Sequence, residues 1–383
     1  MRIGIPRERI RWERRVGLTP EAVSLLTDAG HRVFVESGAG EGAGYADETY
    51  REAGAELVYG PEEAFGRGEL ILKIAPVGEE EALLLTEGQT VFGFHHGWVP
   101  SPRMARVLSD RRITVVSYER IEDELGGRPF QSLISEIAGS VAVLKAVQYL
   151  MSDSGGIGLA PGFVWGVPPA TIVVVGCGVA GSQAVRTAVG IGASVVALDR
   201  DLTRLRELDR LHAGRVVTTL ANRTGLARAV RAADVLILAV SEGQSIPIVT
   251  RDMVRSMRSR SVLVDLAVAA GGASETSRPT TGDEPAFVDE EVTHICLPNL
   301  ASLVGRSASR ALSNVAVGYL LPVADRWPDG WREDAALGRG ILCEAGVMVA
   351  HSGDQPVSVD RSHDRDAPGG NGRHERETRE LRR

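Results

Sequence analysis

Residues 171–199 read TIVVVGCGVAGSQAVRTAVGIGASVVALD. An apolar run over 172–175 carries straight into Gly176-x-Gly178-x-x-Gly181, a helical pattern follows, and a second apolar run over 194–198 ends in Asp199. Each glycine has a physical reason to be there. Gly176 permits a tight strand-to-helix turn, Gly178 lets backbone approach a pyrophosphate, and Gly181 lets helix pack closely on strand. Val179 and Ala180 open the helix, whose first N–H groups and partial positive charge favour phosphate. Asp199 follows Gly181 by 18 residues, the place for an acid that accepts from adenosine ribose hydroxyls. Strand, turn, helix and acid together mark a Rossmann unit that binds a dinucleotide. A carboxylate at 199 repels a 2′-phosphate, which favours NAD over NADP; Arg200 beside it tempers that preference.

Outward from this unit the chain alternates strand and helix patterns, the signature of open, mainly parallel sheets. Strands are expected at 2–6, 31–36, 70–74 and 90–94, and a helix opens at Thr19-Pro20, with threonine at the cap and proline at the first helical position. The glycine-rich GAGEGAG loop at 38–44 has neither the spacing nor the acid of the later fingerprint and reads as a flexible surface turn. Two long helical patterns, about 135–151 and 307–323, flank the dinucleotide unit and read as connectors. The fold class is therefore α/β with two Rossmann-like domains: a central NAD-binding domain, 135–304, inserted into a substrate domain formed by both chain ends, 1–134 and 305–350. Residues 351–383 carry almost no large apolar side chains and read as a disordered tail.

A net charge of −7 with no dominant basic patch excludes nucleic acid and membrane surface as expected partners. Cys177, Cys296 and Cys343 are far apart and include no CxxC pair, so reduced thiols are expected, with neither a disulfide framework nor a metal site. The charged N-terminus lacks a signal-peptide core, and no uncharged run of about eighteen apolar residues appears. A cytoplasmic protein acting on a small molecule is the expectation.

The sequence resembles the alanine dehydrogenase and pyridine-nucleotide transhydrogenase alpha-subunit family over about residues 1–330. The likeness is carried by RIGIPRER at 2–9, ERRVGLTPE at 13–21, ESGAGEGAGYAD at 36–47, LILK at 70–73, SEIAG at 135–139, VVVGCGVAG at 173–181, VDLAVAAGG at 264–272, SRPTT at 277–281 and PNL at 298–300. The spacing is closer to the soluble alanine dehydrogenases. The resemblance implies hydride transfer between NAD(H) and a small amino acid, imine or 2-oxo acid, in a cleft between the domains of a homo-oligomer, dimer-based and up to a hexamer. It implies Arg15 as the anchor for the substrate carboxylate, for which a planar guanidinium is suited. It makes His96, in FGFHHGW, the acid–base group, with His95 on the opposite face of the strand. Ser135, Arg278 and Asn299 would face the dinucleotide, and Arg204 would lie near its adenosine, although helical spacing equally allows it a solvated face. Cys177, with no base or metal partner near it in sequence, reads as packing.

Two positions depart from the family pattern. A lysine expected two residues beyond Lys73 is Ala75, and an aspartate expected just before Gly271-Gly272 is replaced, with Ala269 and Ala270 there and Asp265 further back. Lys73, Arg306 and Arg310 are the candidate compensating cations, with Lys73 taken as a substrate ligand. Three functions remain open: an alanine-dehydrogenase-type enzyme, a specialised reductase of another carbonyl or imine, and a dinucleotide-binding protein without catalysis.

Overall fold

The computed structural model describes residues 1–96, 99–240, 247–327 and 333–349; the expected tail lies outside the described residues. The first third of the chain supplies β1 (Arg2–Ile5), β2 (Arg32–Glu36), β3 (Glu56–Val58), β4 (Leu70–Leu72), β5 (Thr90–Gly93) and β6 (Thr114–Ser117). The middle supplies β7 (Thr171–Val175), β8 (Ser194–Asp199), β9 (Val216–Leu220), β10 (Val235–Leu238), β11 (Val262–Asp265), β12 (Phe287–Asp289) and β13 (Val292–Ile295). The C-terminal part adds β14 (Ile341–Glu344) and β15 (Val347–Met348).

These strands form two sheets. One has the order β15-β14-β6-β5-β4-β1-β2-β3, the other β12-β13-β11-β10-β7-β8-β9. Pairing is parallel except at one end of each: β14 joins β6 and β15 joins β14 antiparallel, and β12 joins β13 antiparallel. Central strands such as LIL at 70–72, VLIL at 235–238 and VLVD at 262–265 are buried throughout. That pattern fits parallel sheets covered on both faces.

Two helices run between the sheets. Pro129–Leu150 begins six residues earlier than the sequence pattern suggested, with proline at its first position, where a missing N–H costs no internal hydrogen bond. It is long and apolar enough to cross a membrane by composition. Here it packs instead on the helix Val179–Gly190, so closely that a Cβ on Gly139 would overlap the carbonyl oxygen of Ala180. The second helix, Gly305–Ala324, ties the chain ends together: the hydroxyls of Ser309 and Ser313 accept from the N–H groups of Val16 and Thr19, each at 3.0 Å. Thr19 does precede the helix Pro20–Asp28, but its side chain forms no cap bond.

The GAGEGAG loop is only partly at the surface. Gly38, Ala39, Gly40 and Ala43 are buried while Glu41, Gly42 and Gly44 are exposed, and a Cβ on Gly42 would press on the Arg14 backbone at 3.0 Å. The glycines let the segment after β1 lie against this loop.

Replacing Gly139 with valine should force two helices apart at backbone contact. The expected loss is about 1–3 kcal/mol of stability, the usual cost of overpacking, read as a lowered midpoint in denaturant unfolding. An unchanged midpoint would mean that the helices slide freely.

Candidate active site between the two sheets

The carboxyl ends of β1, β4 and β5 carry the candidate substrate residues. After β1 the chain turns through Trp12, whose φ of 72° lies in the left-handed region, a conformation costly for a bulky residue and concentrated where other contacts enforce it. Those contacts come from the second sheet's side. The Trp12 carbonyl accepts from Ser302 Oγ, the Trp12 ring lies where a Cβ on Gly282 would stand, and Arg11 pairs with Asp283 at 2.8 Å.

This turn delivers Arg15 to a buried position. Its Nε and Nη2 donate to the two oxygens of Glu13 at 2.8 and 2.6 Å, with both side chains at least 94% buried. Glu13 also accepts from Asn299 Nδ2 at 2.8 Å. The side edge of the guanidinium is thus occupied by a neighbour in sequence. Its end, with Nη1 and the second proton of Nη2, remains for another oxyanion, since no partner for Nη1 exists among the described residues. Burial by itself would raise the Glu13 pKa, but the hydrogen bonds and charge of Arg15 outweigh it and hold the carboxyl below its ordinary 4.5.

Arg15 lies 5.8 Å from the centre of the Phe94 ring. The His96 ring stacks on the same phenyl at 5.6 Å, nearly parallel at 12°. Arg15 and His96 therefore border one side chain. His96 is exposed, with φ 37°, and its N–H donates to Glu119, which also accepts from the His95 N–H at 3.0 Å. The turn after β5 thus faces one imidazole outward and the other inward. His95 is buried, its Nδ1 lies 2.9 Å from the Gly93 carbonyl, and burial pulls its pKa down to about 4.

Lys73, expected as a substrate ligand, is 99% buried, and its ammonium lies 3.1 Å from Glu8 and 2.8 Å from Glu81. Burial disfavours that charge, yet the two carboxylates prevail and keep its pKa above the ordinary lysine value. A cation so enclosed braces the end of β4, with both carboxylates drawing on its charge. Arg306 is also spent, on the Gly44 carbonyl at 2.7 Å and the Tyr45 ring. Asp265 does not replace the acid absent at Ala269. Fully buried, it accepts from Ala267 N at 2.8 Å, Ala273 N at 2.7 Å and Ser277 Oγ at 2.6 Å, so its oxygens shape the turn that carries the exposed Ala269 and Ala270.

On the other sheet, β7 ends at Gly176, φ 92°, where a Cβ would overlap the Ala239 carbonyl; a Cβ on Gly181 would overlap the Gly176 carbonyl. At Gly178 only the tip of Arg204 comes within 4 Å of such a Cβ, so that face is open. Gly178 is the cap of the helix that Val179 begins, and Val179 is exposed. Asp199 is buried at the end of β8 and accepts from Cys177 N at 2.6 Å, with Arg204 3.7 Å away. Two glycines that admit no side chain, an open third and a helix N-terminus fit a pyrophosphate. The Cys177 thiol is buried, with its pKa pushed up to about 12, which makes it inert. Ser135 accepts from Gln131 at 3.5 Å, and Arg278 is exposed with its guanidinium 4.2 Å over Phe287. Of the four polar positions set beside the dinucleotide by resemblance, Asn299 alone among these contacts joins the Arg15 network. Glu13, Glu119 and Phe94 were not singled out in the sequence; Glu13 lay within a quoted motif, two residues before Arg15.

Fold and site together define a two-sheet protein with a dinucleotide turn on one sheet and a buried arginine and an exposed histidine on the other. Residues 4–138 match the alanine dehydrogenase/PNT N-terminal domain, and residues 142–351 match the corresponding C-terminal domain. The chain belongs to this family. It is 38% identical over 352 residues to an alanine dehydrogenase of Halomonas elongata, covering 91% of this chain and 95% of the relative. It is 37% identical over 331 residues to an alanine dehydrogenase of Bacillus subtilis, covering 85% and 86%. Among solved structures it resembles an L-alanine dehydrogenase, with TM-score 0.86 and 35% identity over 91% of this chain and 97% of the other. It also resembles a transhydrogenase from Sinorhizobium meliloti, with TM-score 0.79 and 25% identity over 91% and 100%.

Glu13→Gln should leave Arg15 buried without its counter-charge, at a cost of about 3 kcal/mol near neutral pH. Because folding depresses the Glu13 pKa, the stability it contributes is present above the ordinary carboxylate pKa and is lost as pH falls through the depressed value. The stability gap between the two proteins should therefore close in acid. A gap independent of pH, measured by thermal unfolding across a pH series, would show that the charge of Glu13 does not matter.

Proposed function

We propose that this chain is an NAD-dependent oxidoreductase of the amino-acid dehydrogenase type. It would interconvert a small amino acid with the imine of its 2-oxo acid, or with the oxo acid and ammonia. In this reading residues 1–134 and 305–350 form the substrate half and 135–304 the dinucleotide half. The observation that carries it is the placement of Arg15 and His96 against the same Phe94 ring, joined through Glu13 and Asn299 to the sheet that bears the glycine turn.

Gly176, Gly178, Gly181 and the helix start at Val179 and Ala180 would hold the pyrophosphate, and Asp199 the adenosine ribose. Asp199 supports NAD over NADP, although Arg204 at 3.7 Å means that a cation already stands nearby. When bound, the nicotinamide supplies the hydride acceptor or donor. The free end of the Arg15 guanidinium takes the substrate carboxylate and so orients the α-carbon. A ring nitrogen of His96 takes a proton from the substrate nitrogen or attacking water in one direction and returns it in the other. Glu119, accepting two successive N–H groups, fixes the turn that aims the imidazole. Ser135, Arg278 and Asn299 would border the dinucleotide, with Asn299 also bracing Glu13. Lys73, paired with Glu8 and Glu81, would reach substrate only by exchanging one of those carboxylates.

A second reading has its own observation: the buried Lys73 and Asp265 both hold partners within the chain, and Ala75 and Ala269 carry no charge. An enzyme so altered suits a substrate other than alanine. The proposal also includes a homo-oligomer in the cytoplasm, which light scattering of the purified chain would address.

The test is oxidation of NADH or NADPH with ammonia and a panel of 2-oxo acids. Turnover should require one dinucleotide, NADH preferred. His96→Asn should lower kcat by about 10²–10⁴-fold, the usual share of a positioned acid–base group, with NADH affinity retained. Full activity in that variant would remove His96 from the chemistry.

A further inference from the structure

Beside Arg15, the segment after β1 and the glycine loop after β2 border an open cleft of about 250 Å³. Arg7, Arg9, Arg11, Arg14 and Arg15 line it, against Glu8 and Glu13. Both carboxylates are spent: Glu8 on Lys73 and the Ile74 N–H, Glu13 on Arg15 and Asn299. Arg9 pairs with Glu36, and Arg11 with Asp283. Two cations stay under-neutralised. Arg7 has only the exposed Glu41 at 4.0 Å, and Arg14 has no carboxylate partner among the described residues, its guanidinium lying 5.8 Å from the Trp12 ring.

A cleft lined mainly by one sign of charge concentrates the opposite ion. The chain also fixes the Arg14 backbone, from which the exposed side chain extends. The Arg14 N–H donates to Ser302 at 3.0 Å, and the Arg14 backbone is flanked by Gly42 and Gly305, where side chains would intrude. At the end of β4, by contrast, Ala75 offers no charge and Lys73 is sealed. Of the cations lining this cleft, Arg7 and Arg14 are the least neutralised. Arg15 belongs to both spaces, since it lines the cleft and approaches the phenyl ring that His96 stacks on.

We propose that the substrate carries a second oxyanion, a distal carboxylate or phosphate, which the cleft receives through Arg14 and Arg7 while Arg15 holds the carboxylate next to the reacting carbon. The substrate class is then an acidic amino acid and its 2-oxo acid. This rests on the dehydrogenase reading above. Guanidinium groups pair with either oxyanion, so the ligand series separates the two.

The experiment compares pyruvate, 2-oxoglutarate and 3-phosphohydroxypyruvate with NADH and ammonia, on the full chain and on Arg14→Ala and Arg14→Lys. The expected result is a kcat/KM at least tenfold higher for one of the acidic oxo acids than for pyruvate. That ratio should fall tenfold or more in Arg14→Ala and partly recover in Arg14→Lys. The favoured acid tells carboxylate from phosphate. Turnover with pyruvate equal or better, or a ratio that Arg14→Ala leaves in place, overturns the proposal and leaves the dehydrogenase reading standing. If no oxo acid turns over, that reading fails, and calorimetry of the same three compounds against the protein with NADH decides the cleft by itself. Tighter binding of an acidic compound, lost in Arg14→Ala, supports it; equal binding overturns it.

Discussion

Glu13 is the carboxylate on which the site depends. It takes two hydrogen bonds from the Arg15 guanidinium and one from Asn299, so one buried acid links the loop after β1 to the loop after β13. A buried guanidinium needs such a partner, because an unpaired charge there would cost several kcal/mol. The pairing also selects which edge of Arg15 stays available. An arginine without this neighbour would present all its donors and no fixed direction; with it, only the end of the fork points onward. The hydroxyls of Ser302, Ser309 and Ser313, bound to the same N-terminal segment, extend that link along the connector helix.

The dinucleotide side depends on absence of side chains in place of charge. Gly176 and Gly181 touch carbonyls that no Cβ could approach, and Gly139 does the same from the neighbouring helix. Three close backbone contacts fix the start of the helix at Val179, and with it the row of N–H groups that a phosphate would meet. Asp199 adds to this order by accepting from Cys177 within the turn. The acid thus shapes the loop as well as offering oxygens to a ribose.

Much of this was legible in the sequence, and the exceptions have physical causes. The glycine turn, the acid at 199, the two connectors and most central strands follow from local pattern, because parallel strands buried on both faces are apolar throughout. The strands β3, β6, β14 and β15 were not read, and β9 to β13 were foreseen only as a series of alternating strands and helices, since two to five residues carry little periodicity of their own. The pairing of Lys73 with Glu8 and Glu81 could not be read either. A lysine at a strand end looks the same whether it faces a ligand or two carboxylates, and Glu8 is far from it in sequence. Arg15 was recognisable by resemblance, but its pairing with Glu13 was not, because spacing alone does not fix which edge of a guanidinium a carboxylate will take. The packing of the glycine loop at 38–44 could not be foreseen because its partner, the Arg14 backbone, comes from another loop.

The antiparallel addition of β14 to β6 has a bearing on how the molecule is made. β6 ends at Ser117 and its partner begins at Ile341, so on the ribosome the N-terminal sheet carries a bare strand edge until nearly all of the described chain has emerged. The β7–β13 sheet has all its strands much sooner and can assemble first, drawing the two connector helices into place. Sequence separation of this size slows closure, and an open β6 edge is a template for pairing with other chains. The last short hairpin therefore acts as a seal: losing it would expose newly synthesised molecules to aggregation, though it lies at the opposite end of the sheet from β3 and touches neither candidate binding surface.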